Sequence, residues 1–303
     1  MRLTQCRSGN TLKRVSDRVP RCIAIGPSSS SGCFGIQADL KTFSALGVYG
    51  AAVITGVGPA GKPGQLQPLD SELVLSQLLS AIEYTGVANA IKIGRLGSAE
   101  SARLLADEIE GQLSDIPLVL DPSLFCRSGT MIADEETAAT VSERLLPMAT
   151  VVTLNIAEAE HLVGQPLPDA TSVENAGKKL LERGARSIVI KGGHRNGAFS
   201  DDVLVLPPAD TGQPSTLWLR SARISIDRLE GIGCTLSSGI AAGIARGQHI
   251  EIATEEAKIY LTAALRAGSR WQSTETTGPL HHFYAWWNYT ESGAENLARS
   301  DDR

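Results

Sequence analysis

The sequence predicts an α/β fold: a mostly parallel sheet covered by helices on both faces. Three observations predict it. Short apolar runs alternate with helix-length segments along most of the chain. Asp121, Asn155, Lys191 and Gly192 fall at predicted strand ends, where ligands gather in such sheets. The stretch Glu230-Gly231-Ile232-Gly233-Cys234-Thr235 runs straight into the small-residue segment Leu236–Gly243, which reads as a glycine loop opening a tightly packed helix.

The elements follow in order. Arg21–Gly26 is a short apolar strand entering a Ser/Gly loop, Ile36–Leu46 a helix and Ala51–Thr55 a strand. Ser71–Tyr84 is a helix by its spaced Leu and Ile residues. Ala90–Ile93 is a strand, Ser98–Glu110 a helix, and Leu118–Leu120 a strand ending at Asp121-Pro122. Ala149–Leu154 is a strand followed by a helix from Ala157, and Ser187–Ile190 a strand ending at Lys191-Gly192-Gly193. Thr216–Ile226 reads as extended and Thr235–Arg246 as a long helix, with Pro207–Pro214 as a hairpin tip. No internal repeat is visible.

The 303 residues suit one large domain, and 42% hydrophobic content is enough for a sizeable core. A net charge of −5 argues against a general nucleic-acid binder. No apolar run reaches the roughly 18 residues that span a membrane. The five cysteines (Cys6, Cys22, Cys33, Cys126, Cys234) are scattered, with no Cys-x-x-Cys pair. They suggest neither a disulfide framework nor a zinc site, and a reduced, cytoplasmic setting is expected. Residues 1–20 form a basic lead-in expected to be disordered, residues 21–288 one domain, and residues 289–303 a polar tail.

Backbone N–H groups at a helix start make an anion site. The Gly231–Cys234 loop therefore reads as a phosphate cradle with a thiol in its mouth. The positive field there is expected to lower the proton affinity of Cys234. Asn155 and Glu158 have the spacing of a capped helix start, and Asp121 could cap a turn. His194 reads as a satisfied loop histidine. His281 and His282 read as surface or subunit packing rather than a metal site, and Phe283, Tyr284, Trp286 and Trp287 as packing.

The run Gly35–Gly50 (GIQADLKTFSALGVYG) resembles the hydroxymethylpyrimidine/phosphomethylpyrimidine kinases of thiamine biosynthesis, members of the ribokinase-like superfamily together with pyridoxal kinases. The likeness continues through Ile91-Lys92-Ile93-Gly94, Leu120-Asp121-Pro122, Asn155–Glu160, Lys191–His194, the Gly231–Thr235 loop and Gly278–Tyr284. It implies a ribokinase-like three-layer α/β/α fold and a kinase using ATP and Mg2+. The implied substrate is 4-amino-5-hydroxymethyl-2-methylpyrimidine, its monophosphate, or both. By the same resemblance Cys234, Gly231 and Gly233 would be catalytic, the thiol accepting or orienting the hydroxymethyl proton. Gln37, Ser29 and Arg95 would bind substrate. Lys191, Thr235 and Asn155 would face the nucleotide, and Glu158 and Asp121 would organise the metal and its waters. Family members often form dimers, so a homodimer is expected.

Several positions depart from the family pattern. Ser29 replaces a usual Asp, Phe34 a small residue, Arg95 a Met, Ile232 a Thr, and Glu230 a residue without negative charge; Gly58–Lys62 replaces a Thr-Ala-Gln-Asn-Thr stretch. Arg228 could offset Glu230. These changes leave two alternatives beside the pyrimidine kinase: a kinase for another small alcohol such as pyridoxal, and a catalytically weak or inactive relative that binds a ligand and regulates.

Overall fold

The computed structural model describes residues 19–59, 62–86, 88–126, 129–192, 197–208, 212–224, 230–271 and 278–287. Residues 1–18 of the basic lead-in, the polar tail, His194 and Arg228 lie outside the described residues, as do parts of the Gly58–Lys62 and Pro207–Pro214 segments.

The chain begins its core with strand β1 (Arg21–Ser29), helix α1 (Ile36–Ala45) and strand β2 (Tyr49–Gly58). A two-residue strand β3 (Gln67–Pro68) precedes α2 (Ser71–Thr85), β4 (Ala90–Ile93), α3 (Ala99–Gln112) and β5 (Leu118–Leu120). Next come α4 (Glu135–Thr140), β6 (Val151–Asn155), α5 (Ile156–Val163), α6 (Ala170–Leu181) and β7 (Ile188–Lys191). The last elements are β8 (Asp202–Leu206), β9 (Ser215–Leu219), α7 (Ile232–Ala245) and α8 (Ile250–Gly268).

These strands form one nine-stranded sheet in the order β3-β2-β1-β4-β5-β6-β7-β8-β9. The six strands from β2 to β7 pair in parallel, and β3, β8 and β9 are antiparallel additions. Both faces are covered, as an all-parallel centre requires. Alternate residues of a strand point to opposite faces, so Ile23 and Ile25 pack with Leu78, Leu105 and Leu180 on one side. Cys22 and Ala24 pack with Phe43, Ile240 and Leu261 on the other. The expected three-layer α/β/α fold is therefore present.

The small-residue run of α7 has a packing cause. A Cβ at Gly239 would lie 2.9 Å from the Ala257 Cβ, and one at Gly243 2.7 Å from that of Ala253. Glycine lets α7 and α8 approach backbone to backbone. The single extended segment expected at Thr216–Ile226 is corrected: the strand is Ser215–Leu219, and it forms a hairpin with β8. Sequence reading passed over β8 as well as α4, α6 and α8.

Strand order reverses between β1, whose successor β2 lies to one side, and β4, which opens the series on the other. The helices after β1 and β4 pack on opposite faces, and the crevice between such diverging loops is the usual ligand position in an open parallel sheet.

Candidate active site

Four strand ends and one helix start converge on this crevice. Asp121 follows β5, Asn155 ends β6, Lys191 ends β7, and Gly94 and Arg95 follow β4. Helix α7 enters through Gly231, whose φ of 86° is in the left-handed region that glycine tolerates. A Cβ on Gly231 would also collide with the Cys33 carbonyl of the loop after β1. No side chain caps this helix start. Its first N–H groups have no partner inside the helix, so they are disposed toward an anion.

Gly233 brings that start against two charges. A Cβ there would lie 3.4 Å from Lys191 Nζ and 3.6 Å from Asp121 Oδ2. Lys191 Nζ donates to Asp121 Oδ1 at 2.9 Å, and Ser237 Oγ donates to Oδ2 at 3.1 Å. Burial works against the Asp121 charge, but Lys191 and Lys92 outweigh it and hold the carboxyl below its ordinary range. Burial likewise opposes the Lys191 charge, and Asp121 and Glu158 restore it, leaving its proton affinity raised.

Asn155 and Glu158 form a reciprocal cap. Asn155 Oδ1 accepts the Glu158 N–H at 2.9 Å, and Glu158 Oε2 accepts the Asn155 N–H at 2.7 Å. Glu158 Oε1 accepts the Leu124 N–H at 2.9 Å. Ser123, with φ of 49°, is in the left-handed region beside this contact. Burial pushes Glu158 up to about 7, against the opposing pull of Lys191.

The second buried network was not singled out in the sequence. Lys92 Nζ donates to both Asp39 oxygens at 3.0 and 2.9 Å, and Ser238 Oγ donates to Asp39 Oδ1 at 2.7 Å. Lys92 and Asp39 are 1% and 0% exposed, so neither charge could stand alone. A readable signal existed: a lysine inside the apolar strand AIKI needs a carboxylate, and Asp39 shares a helix face with Phe43 and Ile36. The two networks are alike. Each runs from a serine of α7 through a carboxylate to a lysine on a parallel strand.

Cys234 lies in the first turn of α7, and the expectation of a lowered proton affinity is corrected. Burial pushes the thiol up to about 11, with Asp39 and Asp121 adding to the rise and Lys92 and the Gly35 N–H only partly offsetting it. The helix-start field loses to desolvation and two carboxylates. Thr235 is fully buried, and its hydroxyl meets His282 Nε2 at 3.1 Å rather than the crevice. His281 and His282 are corrected too: they are 6% and 3% exposed, inside the protomer.

On the other wall, Gln37 holds its own loop. Its amide nitrogen donates to Ser28 Oγ at 2.7 Å, and its Oε1 accepts the Ser29 N–H at 3.1 Å. The buried Ser29 hydroxyl pairs with Ser31 at 3.1 Å. Arg95 donates to the Ile132 carbonyl. Glu230 is partly buried, which raises its proton affinity.

Among the described residues no group of three His, Cys, Asp or Glu could hold a metal ion. Asp121 is engaged by Lys191 and Ser237, and both Glu158 oxygens accept backbone N–H groups. These carboxylates suit a cation that arrives with its own oxygen ligands and waters.

A mostly parallel sheet covered by helices on both faces, in this strand order, is the fold of small-molecule kinases of the ribokinase-like class. The phosphomethylpyrimidine kinase family profile matches residues 29–281. A hydroxymethylpyrimidine/phosphomethylpyrimidine kinase of Rhizobium meliloti is 36% identical over 276 residues, covering 88% of this chain and 97% of that protein. The corresponding Streptomyces coelicolor kinase is 37% identical over 268 residues, covering 88% and 95%. Among solved structures, an ADP complex of Bacillus subtilis pyridoxal kinase matches with a TM-score of 0.79 and 30% identity, covering 89% of this chain and all of that one. A phosphomethylpyrimidine kinase from Clostridium difficile matches with 0.67 and 30%, covering 81% and 98%. The chain belongs to the phosphomethylpyrimidine kinase family.

Proposed function

We propose that this chain transfers the terminal phosphoryl group of ATP to 4-amino-5-hydroxymethyl-2-methylpyrimidine, to its monophosphate, or to both, in thiamine biosynthesis. The observation that carries the reading is the start of α7: a glycine entrance, uncapped, with Lys191 beside it and Cys234 in its first turn. The N–H groups of Gly231–Cys234 hold the moving phosphoryl group, whose transfer needs positioning and charge neutralisation more than covalent help. Lys191 faces the phosphates, and Asn155 shapes that wall through its cap on α5. Thr235 supports the cradle from behind, through His282. Asp121 and Glu158 would hold the waters of a Mg2+ ion bound with the nucleotide, and such an ion would supply neutralisation of phosphate charge. Ser29, Gln37 and Arg95 belong to the acceptor wall, with Gln37 shaping it through the loop it holds.

Cys234 remains a thiol at neutral pH, and phosphate anions disfavour its thiolate further. Its role is to orient the acceptor hydroxyl by accepting a hydrogen bond. A coupled ADP-release assay with the pyrimidine alcohol, its monophosphate and pyridoxal tests the substrate, and an EDTA arm tests the metal. Turnover of either pyrimidine is expected. Turnover of pyridoxal alone, or of nothing, would overturn the reading. In Cys234→Ala, loss of one hydrogen bond predicts about a tenfold slower alcohol step. A general base would cost about 10²–10⁴-fold. The monophosphate is already anionic, so its step is expected to stay within about twofold of wild type. Equal losses in both steps would contradict the role.

A homodimer and a cytoplasmic location complete the reading. The outer edge of β2 supports the first: β3 covers only Gly56 and Val57, and Tyr49, Leu79 and Tyr84 are exposed. The scattered cysteines, with no Cys-x-x-Cys pair, support the second, which cell fractionation reads.

A further inference from the structure

Outside the crevice, a third buried lysine–carboxylate pair joins α8 to the entry of β8. Lys258 Nζ donates to Asp202 Oδ2 at 2.7 Å and to the Ser200 carbonyl at 2.8 Å. Asp202 and Lys258 are 3% and 7% exposed. The remaining oxygen, Asp202 Oδ1, accepts the N–H of Gly192 at 2.8 Å. Gly192 directly follows Lys191, and the last β7–β8 register pair is Ile190 with Val203. Asp202 therefore stands one step past the ladder, level with Lys191, and takes over from the sheet where pairing stops. A Cβ on Gly192 would collide with the Asp201 carbonyl, so the turn is pressed directly onto this strand. Lys191 reaches the α7 entrance from this backbone, its Nζ 3.4 Å from where a Cβ on Gly233 would stand.

We propose that Asp202, held by Lys258, is a positioning residue for nucleotide binding: it clamps the Gly192 N–H and so aims Lys191 at the phosphate cradle. The proposal rests on the reading of Lys191 as the phosphate-side cation. Stability alone does not call for such a pair, because a buried ion pair replaced by apolar groups of similar volume often leaves a fold equally stable. What the apolar replacement cannot supply is an acceptor for Gly192.

Two double variants separate these roles. Asp202→Asn/Lys258→Met discards both charges and keeps the acceptor; Asp202→Leu/Lys258→Met discards the acceptor as well. Calorimetry with ADP reads phosphate-side binding without turnover, so failure to phosphorylate a pyrimidine would overturn the kinase assignment and leave this test standing. The asparagine double is expected to bind ADP within about twofold of wild type, and the leucine double about five- to tenfold more weakly, the size of one lost hydrogen bond. KM for the acceptor is expected to be the same in both. Equal ADP affinity in the two doubles, or parallel changes in nucleotide and acceptor KM, would overturn the proposal. Should the leucine double not fold, amide hydrogen exchange on the wild-type protein decides: slow exchange at Gly192 is expected, and exchange as fast as that of exposed loop amides would overturn it.

Discussion

His282 is 3% exposed, with Nε2 3.1 Å from the Thr235 hydroxyl and its carbonyl accepting from Tyr260 at 2.9 Å. Burial, reinforced by the Lys41 ammonium, lowers its proton affinity from 6.5 to about 4. Folding therefore favours the neutral ring. The resulting stability is fully present above pH 6.5 and is lost as pH falls through about 4. The largest effect is about 3 kcal/mol. His282→Gln keeps a hydrogen-bonding side chain and cannot take up a proton. The stability gap between wild type and this variant is expected to shift toward the variant between pH 6.5 and 4, followed by urea denaturation. A gap independent of pH would show that the ring does not resist protonation.

At the scale of elements, the entrance to α7 depends on one residue's backbone. Gly231→Ala would place a side chain at φ 86° and against the Cys33 carbonyl. Strain at positive φ costs about 1–2 kcal/mol before the collision is counted. The expected outcome is lost stability and lost ADP binding together, measured by thermal melting and calorimetry; wild-type ADP affinity would mean that the entrance does not hold phosphate. That glycine was legible because a turn into a helix leaves a local pattern. So were Asn155 and Glu158, whose three-residue spacing is the cap itself. The Asp39–Lys92 and Asp202–Lys258 pairs were not legible in the same way. Their partners are 53 and 56 residues apart, and only the folded sheet brings them together. The proton affinity of Cys234 was misread for a related reason. A helix start is visible in sequence, whereas the carboxylates and burial that oppose it come from distant parts of the chain. Helix α8 was passed over although its apolar face is regular, since Ala253 and Ala257 carry too little hydrophobic contrast to stand out.

At the scale of the whole molecule, one edge of the sheet is β2 outside its two-residue pairing with β3. Gln77 satisfies the N–H and carbonyl of Ile54 at 2.9 and 3.1 Å, which closes part of that edge. A concavity of about 440 Å³ remains, lined by Ala51, Ala52, Gln77 and Tyr84 among others. Tyr84 is 84% exposed beside it. An apolar rim along an open strand edge suits a second copy of the chain. Sedimentation equilibrium is expected to find a dimer, and Tyr84→Asp to shift it toward monomer. A wild-type monomer at tens of micromolar would remove the dimer from the reading.

The glycine contacts between α7 and α8 have a mechanical consequence. A helix is stiff along its axis, and Gly239 is about 9 Å from Gly233 at 1.5 Å per residue. A methyl group forced between the two helices would act like a shim under a lever, tilting the distant tip away from Lys191 without touching any ligand. The position of the helix entrance is thus set from further along the rod, by atoms that are missing.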